Sequence, residues 1–210
     1  MPESQPTSEW TGWRGRIGAR YLGGPMRKLE DRWFLGSQVF LGGVFAVLRG
    51  GETVLDVGTG SGYCRLEIAE RLGTGEVICL DLSDEMLAHL ETGAKRKGLR
   101  EMIRIRKADA CSSGLGEGSV DLAVSVGVFH ELPRPDLALA EMRRVLKPGG
   151  WAMMLDFRNT WFGRLVAGTH RAETHGPFSE EELSQLFLAA GFQNVQVAPV
   201  KHALIGRGQR

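Results

Sequence analysis

Residues 54–62 read Val-Leu-Asp-Val-Gly-Thr-Gly-Ser-Gly (VLDVGTGSG), and the reading of this stretch decides the fold. An apolar run carrying one acid, Asp56, delivers Gly58, Gly60 and Gly62 into a turn, and a helical pattern over residues 62–72 follows directly. Glycine at alternate positions lets the backbone enter conformations closed to other residues and leaves no Cβ between the main chain and a ligand. Two phosphate-binding loops are excluded residue by residue. The dinucleotide pattern G-x-G-x-x-G would need glycine where Tyr63 stands, and no Gly-Lys-Ser/Thr follows as a P-loop requires. The acid adds a sign. Two residues before the glycines, Asp56 repels a pyrophosphate and suits a cationic ligand, a sulfonium or an ammonium.

From residue 52 the punctuation is regular. Short β-branched runs predict strands over residues 53–57, 76–80, 103–107, 120–124, 151–157, 195–199 and 202–206. Helical spacing predicts helices over 62–72, 84–97 and 135–146, the last stopped by Lys147-Pro148-Gly149-Gly150. Residues 158–177 read as irregular. Ser179 and Glu182 then form a capping box for a helix over 180–190, which Gly191 ends. The last two strands, with Lys201 near their turn, predict a hairpin at the sheet edge. Alternation of strand and helix predicts an α/β fold: a doubly wound seven-stranded sheet, mostly parallel with an antiparallel edge strand, and helices on both faces.

Ahead of this domain, at 51–210, residues 1–9 read as a disordered tail and residues 10–50 as a helical cap broken by Gly23-Gly24-Pro25, Gly36 and Gly42-Gly43. The cap interleaves Arg14, Arg16, Arg20, Arg27, Lys28, Arg32 and Arg49 with Trp10, Trp13, Trp33 and Phe34. Such a stripe serves to pack apolar faces on the main domain, to cover a ligand pocket, or to lie on a membrane surface. A net charge of +1 over 210 residues supplies no field for a polyanion, so nucleic acid is not an expected partner. Three cysteines, Cys64, Cys79 and Cys111, show neither C-x-x-C nor zinc spacing, which predicts reduced thiols. No signal peptide or membrane span is visible, and a cytoplasmic location is expected.

With its motifs in this order, the chain resembles the class I S-adenosylmethionine-dependent methyltransferases, and within them the small-molecule branch that includes the ubiquinone/menaquinone-biosynthesis enzymes. The segments that carry the resemblance are VLDVGTGSG, ICLDLSDEML, IRKADA, SVDLAVSVGVFHELP, EMRRVLKPGGWAMMLDF and, beyond them, HGPFSEEELSQLFLAAGF. The resemblance implies a Rossmann-like sheet, S-adenosyl-L-methionine as methyl donor with S-adenosyl-L-homocysteine as product, and in-line transfer to a small-molecule acceptor at O, N or C. It implies that Gly58, Gly60 and Gly62 lie under the methionine part of the donor, with Asp56 near its ammonium group. Asp81 would take the ribose hydroxyls, Leu82 and Met86 would neighbour the adenine, and Asp109 with Ala110 would meet the adenine amine. Ser125, Val126 and Gly127 would bring the main chain of the fourth strand to the donor and acceptor. Thr59 stands where Cys or Ala is common, a mild departure.

The acceptor side rests on position. A sulfonium is already activated, so orientation and exclusion of water carry most of the acceleration, and no covalent nucleophile is required. His130, just past the fourth strand, is the candidate base for an acceptor that loses a proton; packing or capping is its other reading. Glu131 and Asp156 lie at carboxyl ends of strands, where open α/β sheets bind ligands. Arg158 suits either an acidic substrate or a surface ion pair. His170 and His175 fall in the 158–178 stretch, a candidate substrate lid. None of these side chains has metal-ligand spacing, and no metal is expected. Alternative readings are a lipid or quinone methyltransferase with a membrane-surface N-terminal helix, or a non-catalytic module that only binds the donor. A monomer or a homodimer is expected. A nucleic-acid methyltransferase is disfavoured by the lack of an N-P-P-Y-type tetrad after the fourth strand.

Overall fold

The computed structural model describes residues 35–60, 63–167 and 174–210. The expected tail, most of the N-terminal cap, Gly62 and His170 lie outside the described residues. In chain order the elements are α1 (Ser37–Val47), β1 (Thr53–Val57), α2 (Tyr63–Leu72), β2 (Glu76–Asp81), α3 (Asp84–Arg96), β3 (Ile103–Lys107), β4 (Val120–Val126), α4 (Pro135–Val145), β5 (Leu146–Phe157), α5 (Trp161–Ala167), α6 (Glu180–Ala189), β6 (Gln193–Val200) and β7 (Ala203–Gln209).

The strands form one seven-stranded sheet in the order β3-β2-β1-β4-β5-β7-β6. β1 to β5 pair in parallel, and β7 runs antiparallel to both β5 and β6. The single reversed strand is therefore second from the edge, and the predicted hairpin supplies both it and the edge strand β6. Strand alternation sorts the core into two layers. Val54, Val77, Cys79, Val124 and Leu155 face Phe40 and Val44 of α1, Ile68 and Ala69 of α2 and Leu90 of α3. Leu55, Val57, Ile78, Ala123 and Met154 face Leu139 and Met142 of α4 and Leu183 and Phe187 of α6. Strands covered on both faces have no solvated side, which is why they read as almost continuous apolar runs.

Three expectations change here. Gly42 and Gly43, read as a break, lie inside α1, because a Cβ at Gly43 would press on the Met153 side chain at 3.2 Å and the glycine lets the helix lie close to β5. Gly36, at φ 78°, is where that helix begins. Lys147 to Gly150, read as a stop, already belongs to β5, since α4 ends at Val145 and Gly149 N–H donates to Arg210 O at 3.0 Å. The stretch read as irregular after β5 contains α5.

Other local signals hold. Ser83 Oγ caps α3 by accepting from Met86 N–H at 3.2 Å. Ser179 Oγ accepts from Glu182 N–H at 3.1 Å while the Glu182 carboxylate accepts from Ser179 N–H at 2.7 Å, both halves of the capping box. No described helix is long and apolar enough to cross a membrane.

Candidate functional site

Strand order reverses between β1 and β4, and the crevice at such a switch point lies beyond the carboxyl ends of the strands. Register brings the expected groups to it. Asp56 pairs with Cys79 on β2 and with Val124 on β4, so Gly58, Asp81 and Gly127 emerge side by side. The loop after β1 folds back across β2: Thr59 N–H donates to Leu80 O at 2.9 Å and Gly60 N–H to Asp81 Oδ2 at 2.8 Å.

Glycine is needed at this edge for two different reasons. Gly58, at φ 66°, lies so close to β4's outgoing loop that a Cβ would collide with the Val128 side chain. Gly60 and Gly127, at φ 50° and 65°, would carry a Cβ that meets no described atom within 4 Å. Both therefore present bare main chain to open space, with the left-handed backbone that glycine adopts without strain.

Asp81 is half-buried and holds two main-chain donors, Gly60 N–H on Oδ2 and Ser83 N–H on Oδ1 at 2.9 Å. Burial pushes its carboxyl above the ordinary aspartate value, and those two amides pull it partly back. Leu82 beside it is half-buried. Met86 is 1% exposed, so its side chain supports the loop from within rather than lining an open face. Asp109 accepts from Cys111 N–H at 2.9 Å in a local turn, and Ala110 packs into the α4 and α6 layer. Ser125 is buried with its hydroxyl donating to Val57 O at 3.0 Å, so only its main chain belongs to the crevice; Val126 is half-buried, and Gly127 N–H donates to Leu155 O at 2.8 Å.

Asp56 is the main correction. Its carboxylate is 2% exposed and held by Arg65 of α2, through Nε to Oδ2 and through Nη2 to Oδ1 at 3.3 Å. Arg65 Nη2 also donates to Gly58 O at 3.1 Å. The acid's charge is met inside the protein by Arg65, so Asp56 is not a free seat for a cation. Arg65 was not singled out in the sequence; the available signal was a cation among the apolar positions of Cys64, Leu66 and Ile68.

The residues expected on the acceptor side gather around one buried ring. His130, in the short 3-10 turn Phe129–Glu131, is 1% exposed, with Nδ1 2.7 Å from Asp156 Oδ1 and Nε2 3.8 Å from Glu131 Oε1. Asp156 is 2% exposed and belongs to this cluster rather than to an open substrate face. Arg158 pairs with Glu180 at 2.8 Å, the surface ion pair of its two readings. His175 stacks on Phe178 at 4.3 Å between ring centroids. Residues 174–178 lie along the site: Gly176 N–H donates to His130 O at 2.9 Å and His175 N–H to Leu132 O at 3.2 Å.

Burial pushes the Cys79 thiol up to about 12 and the Cys111 thiol up to about 11, so neither is a thiolate at neutral pH. Among the described residues no group of three His, Cys, Asp or Glu side chains stands ready for a metal ion.

The family described as Methyltransferase domain matches residues 55–154, the span from β1 through most of β5. Among curated relatives, a demethylmenaquinone methyltransferase of Staphylococcus aureus is 31% identical over 71% of this chain and 71% of its own length. A malonyl-[acyl-carrier protein] O-methyltransferase of Geobacter sulfurreducens is also 31% identical, over 69% of this chain but only 57% of that protein. A solved S-adenosylmethionine-dependent methyltransferase from Aquifex aeolicus, 24% identical, superposes with a TM-score of 0.74 over 92% of this chain and 97% of that one, and shows the shared fold. On sequence, fold and matched span together, the chain belongs to the class I S-adenosylmethionine-dependent methyltransferases.

Proposed function

We propose that the protein binds S-adenosyl-L-methionine in the crevice between β1 and β4 and transfers its methyl group to a small-molecule acceptor held near His130. The observation that carries the reading is the pairing of bare main chain with a fixed acid: a Cβ at Gly60 or Gly127 would meet no described atom within 4 Å, while Asp81 is held beside them by Gly60 N–H. These residues fit the donor. Asp81 has the lone pairs a ribose diol needs, Leu82 and Asp109 flank the adenine side, and the glycine main chains fit the methionine side. The bound donor supplies an activated methyl carbon. The chain's own residues then orient the acceptor, exclude water and hold a proton at His130. The names of the relatives support a small acceptor and leave its atom open among O, N and C.

Calorimetric titration with S-adenosyl-L-methionine and S-adenosyl-L-homocysteine tests this reading, and flat traces with both would end it. In Asp81→Ala, loss of hydrogen bonds to a charged acceptor, about 1.5–3 kcal/mol, is expected to weaken both ligands roughly 10- to 100-fold. The pH dependence has a definite sign. Because Asp81 titrates above the usual aspartate range, acidification is expected to weaken donor binding earlier than an exposed aspartate would allow. The same shift makes this carboxyl's contribution to folding stability fall as pH rises from its unfolded value through its raised folded one.

A second reading, a lipid-soluble acceptor such as a quinone, draws on α5. Trp161 and Leu165, one helical turn apart, are 74% and 63% exposed on the helix that follows the site. If that face meets a bilayer, the protein co-sediments with phosphatidylglycerol vesicles, and replacing both residues by Ser lowers the bound fraction at least roughly tenfold. Equal sedimentation of the two proteins would remove the support.

A further inference from the structure

The end of β5 inserts Asp156 into the loop that leaves β4, across a separation of 26 residues from His130. Its Oδ2 accepts from the main-chain N–H groups of Val128 at 3.1 Å, Phe129 at 2.7 Å and His130 at 3.4 Å. Its Oδ1 accepts from Phe157 N–H at 2.7 Å and lies 2.7 Å from His130 Nδ1. One hydrogen bridges Oδ1 and Nδ1. Every main-chain group that faces the carboxyl is a donor, so the carboxyl serves as acceptor and the bridging hydrogen belongs on Nδ1.

A neutral imidazole carries one ring hydrogen, and with Nδ1 protonated the lone pair is on Nε2. The ring is fixed in that orientation by an edge-on contact with Phe157, 4.8 Å between centroids at 87°. Its main-chain carbonyl is held by Gly176 N–H. Nε2 points toward the side of Glu131, whose Oε1 at 3.8 Å stands beyond direct hydrogen-bond range.

We propose that Asp156 is a positioning residue, which holds His130 in the Nδ1–H tautomer so that Nε2 takes a proton from a protic acceptor, an O–H, N–H or acidified C–H group. The inference rests on the methyltransferase reading above and narrows its acceptor to one that must lose a proton. The step balances. His130 Nε2 accepts the acceptor's proton, the electron pair left on the acceptor forms the bond to the methyl carbon, and the carbon–sulfur pair returns to sulfur. The products are methylated acceptor, neutral thioether and an imidazolium that later releases its proton to water. Asp156 remains an acceptor throughout.

Side-chain nitrogen correlations of 15N-histidine-labelled protein read the tautomer without knowledge of the acceptor, with His130→Gln identifying the signal. The neutral ring of the wild type is expected as the Nδ1–H tautomer. Asp156→Asn inverts it, because the amide oxygen stays with the three donors of the 128–130 loop and the NH2 group faces Nδ1, which drives the hydrogen to Nε2. Binding of S-adenosyl-L-homocysteine by the variant is expected within about twofold of wild type, since the change touches no donor contact.

An Nε2–H tautomer in the wild type, or an unchanged tautomer in Asp156→Asn, overturns the proposal. If Asp156→Asn does not fold, the wild-type tautomer alone decides. A wild type that shows the Nδ1–H form yet binds no S-adenosyl-L-homocysteine would instead overturn the methyltransferase reading on which the acceptor assignment rests.

Discussion

Arg65→Ala is expected to lower the stability of the fold by about 3–5 kcal/mol, because it leaves the Asp56 carboxylate buried without its counter-ion. At the usual proportion for a domain of this size, that is a fall in Tm of roughly 6–20 °C, read by thermal unfolding. The two side chains are 7% and 2% exposed, so water cannot replace the guanidinium cheaply. Arg65 also holds Gly58 O, and its loss loosens the loop that carries Gly60. A double variant, Asp56→Leu with Arg65→Met, removes both charges and is expected to recover most of the loss, since an apolar pair of similar volume has no desolvation penalty to offset. Equal destabilisation by the single and double changes would show that the Asp56–Arg65 charge pairing is not what stabilises this place.

His130→Gln is expected to reduce methyl transfer by about 10²–10⁴, the range of a positioned general base. The measurement is transfer of radiolabelled methyl groups from S-adenosyl-L-methionine to a small-molecule extract, with wild type and variant compared at matched donor saturation. Donor binding is expected to hold, because Asp81 and Gly60 lie at the ends of β2 and β1, away from the turn after β4 that carries His130. A variant with undiminished transfer would remove His130 from the chemistry and leave it the packing role that its contact with Phe157 also supports. The distinction matters for the acceptor: a tertiary amine or a thioether has no proton to give up, and an enzyme for such a group would not need this ring.

Much of the fold was legible because its signals are local. β1 and β3 follow from β-branched runs bounded by glycine and charge, and the α6 cap from Ser179 and Glu182 three residues apart. What misled was also local. Gly42-Gly43 reads as a break until β5 lies across it, and Lys147 to Gly150 reads as a stop until Arg210 pairs with it. Nothing in the sequence near Trp161 set α5 apart from a loop.

At the site, the positions of Gly58, Gly60 and Asp81 at the carboxyl ends of β1 and β2 could be read from those two motifs alone, since each lies at its own strand end. Asp56 could not be read correctly, because its partner is a side chain of the following helix and the sequence shows only an acid near glycines. The pairing of His130 with Asp156 was equally hidden. Both had been singled out, but only the side-by-side packing of β4 and β5 makes them one unit.

The chain that leaves β5 comes back to where it left. Phe178 N–H donates to Phe157 O at 3.0 Å and Asn159 N–H to Phe178 O at 2.7 Å, so the excursion between them is tied at its root. A segment anchored this way can grow, shrink or change composition at small thermodynamic cost, since each doubling of a flexible loop adds only about 0.6 kcal/mol. Asp156 immediately precedes the Phe157 end of this root, and Gly176 N–H, two residues before Phe178, holds His130 O. On the proposed reading, exchange of the residues between Asn159 and His175 is expected to shift acceptor preference while the hydrogen bonds at the root are kept, so that the excursion works as a replaceable cassette.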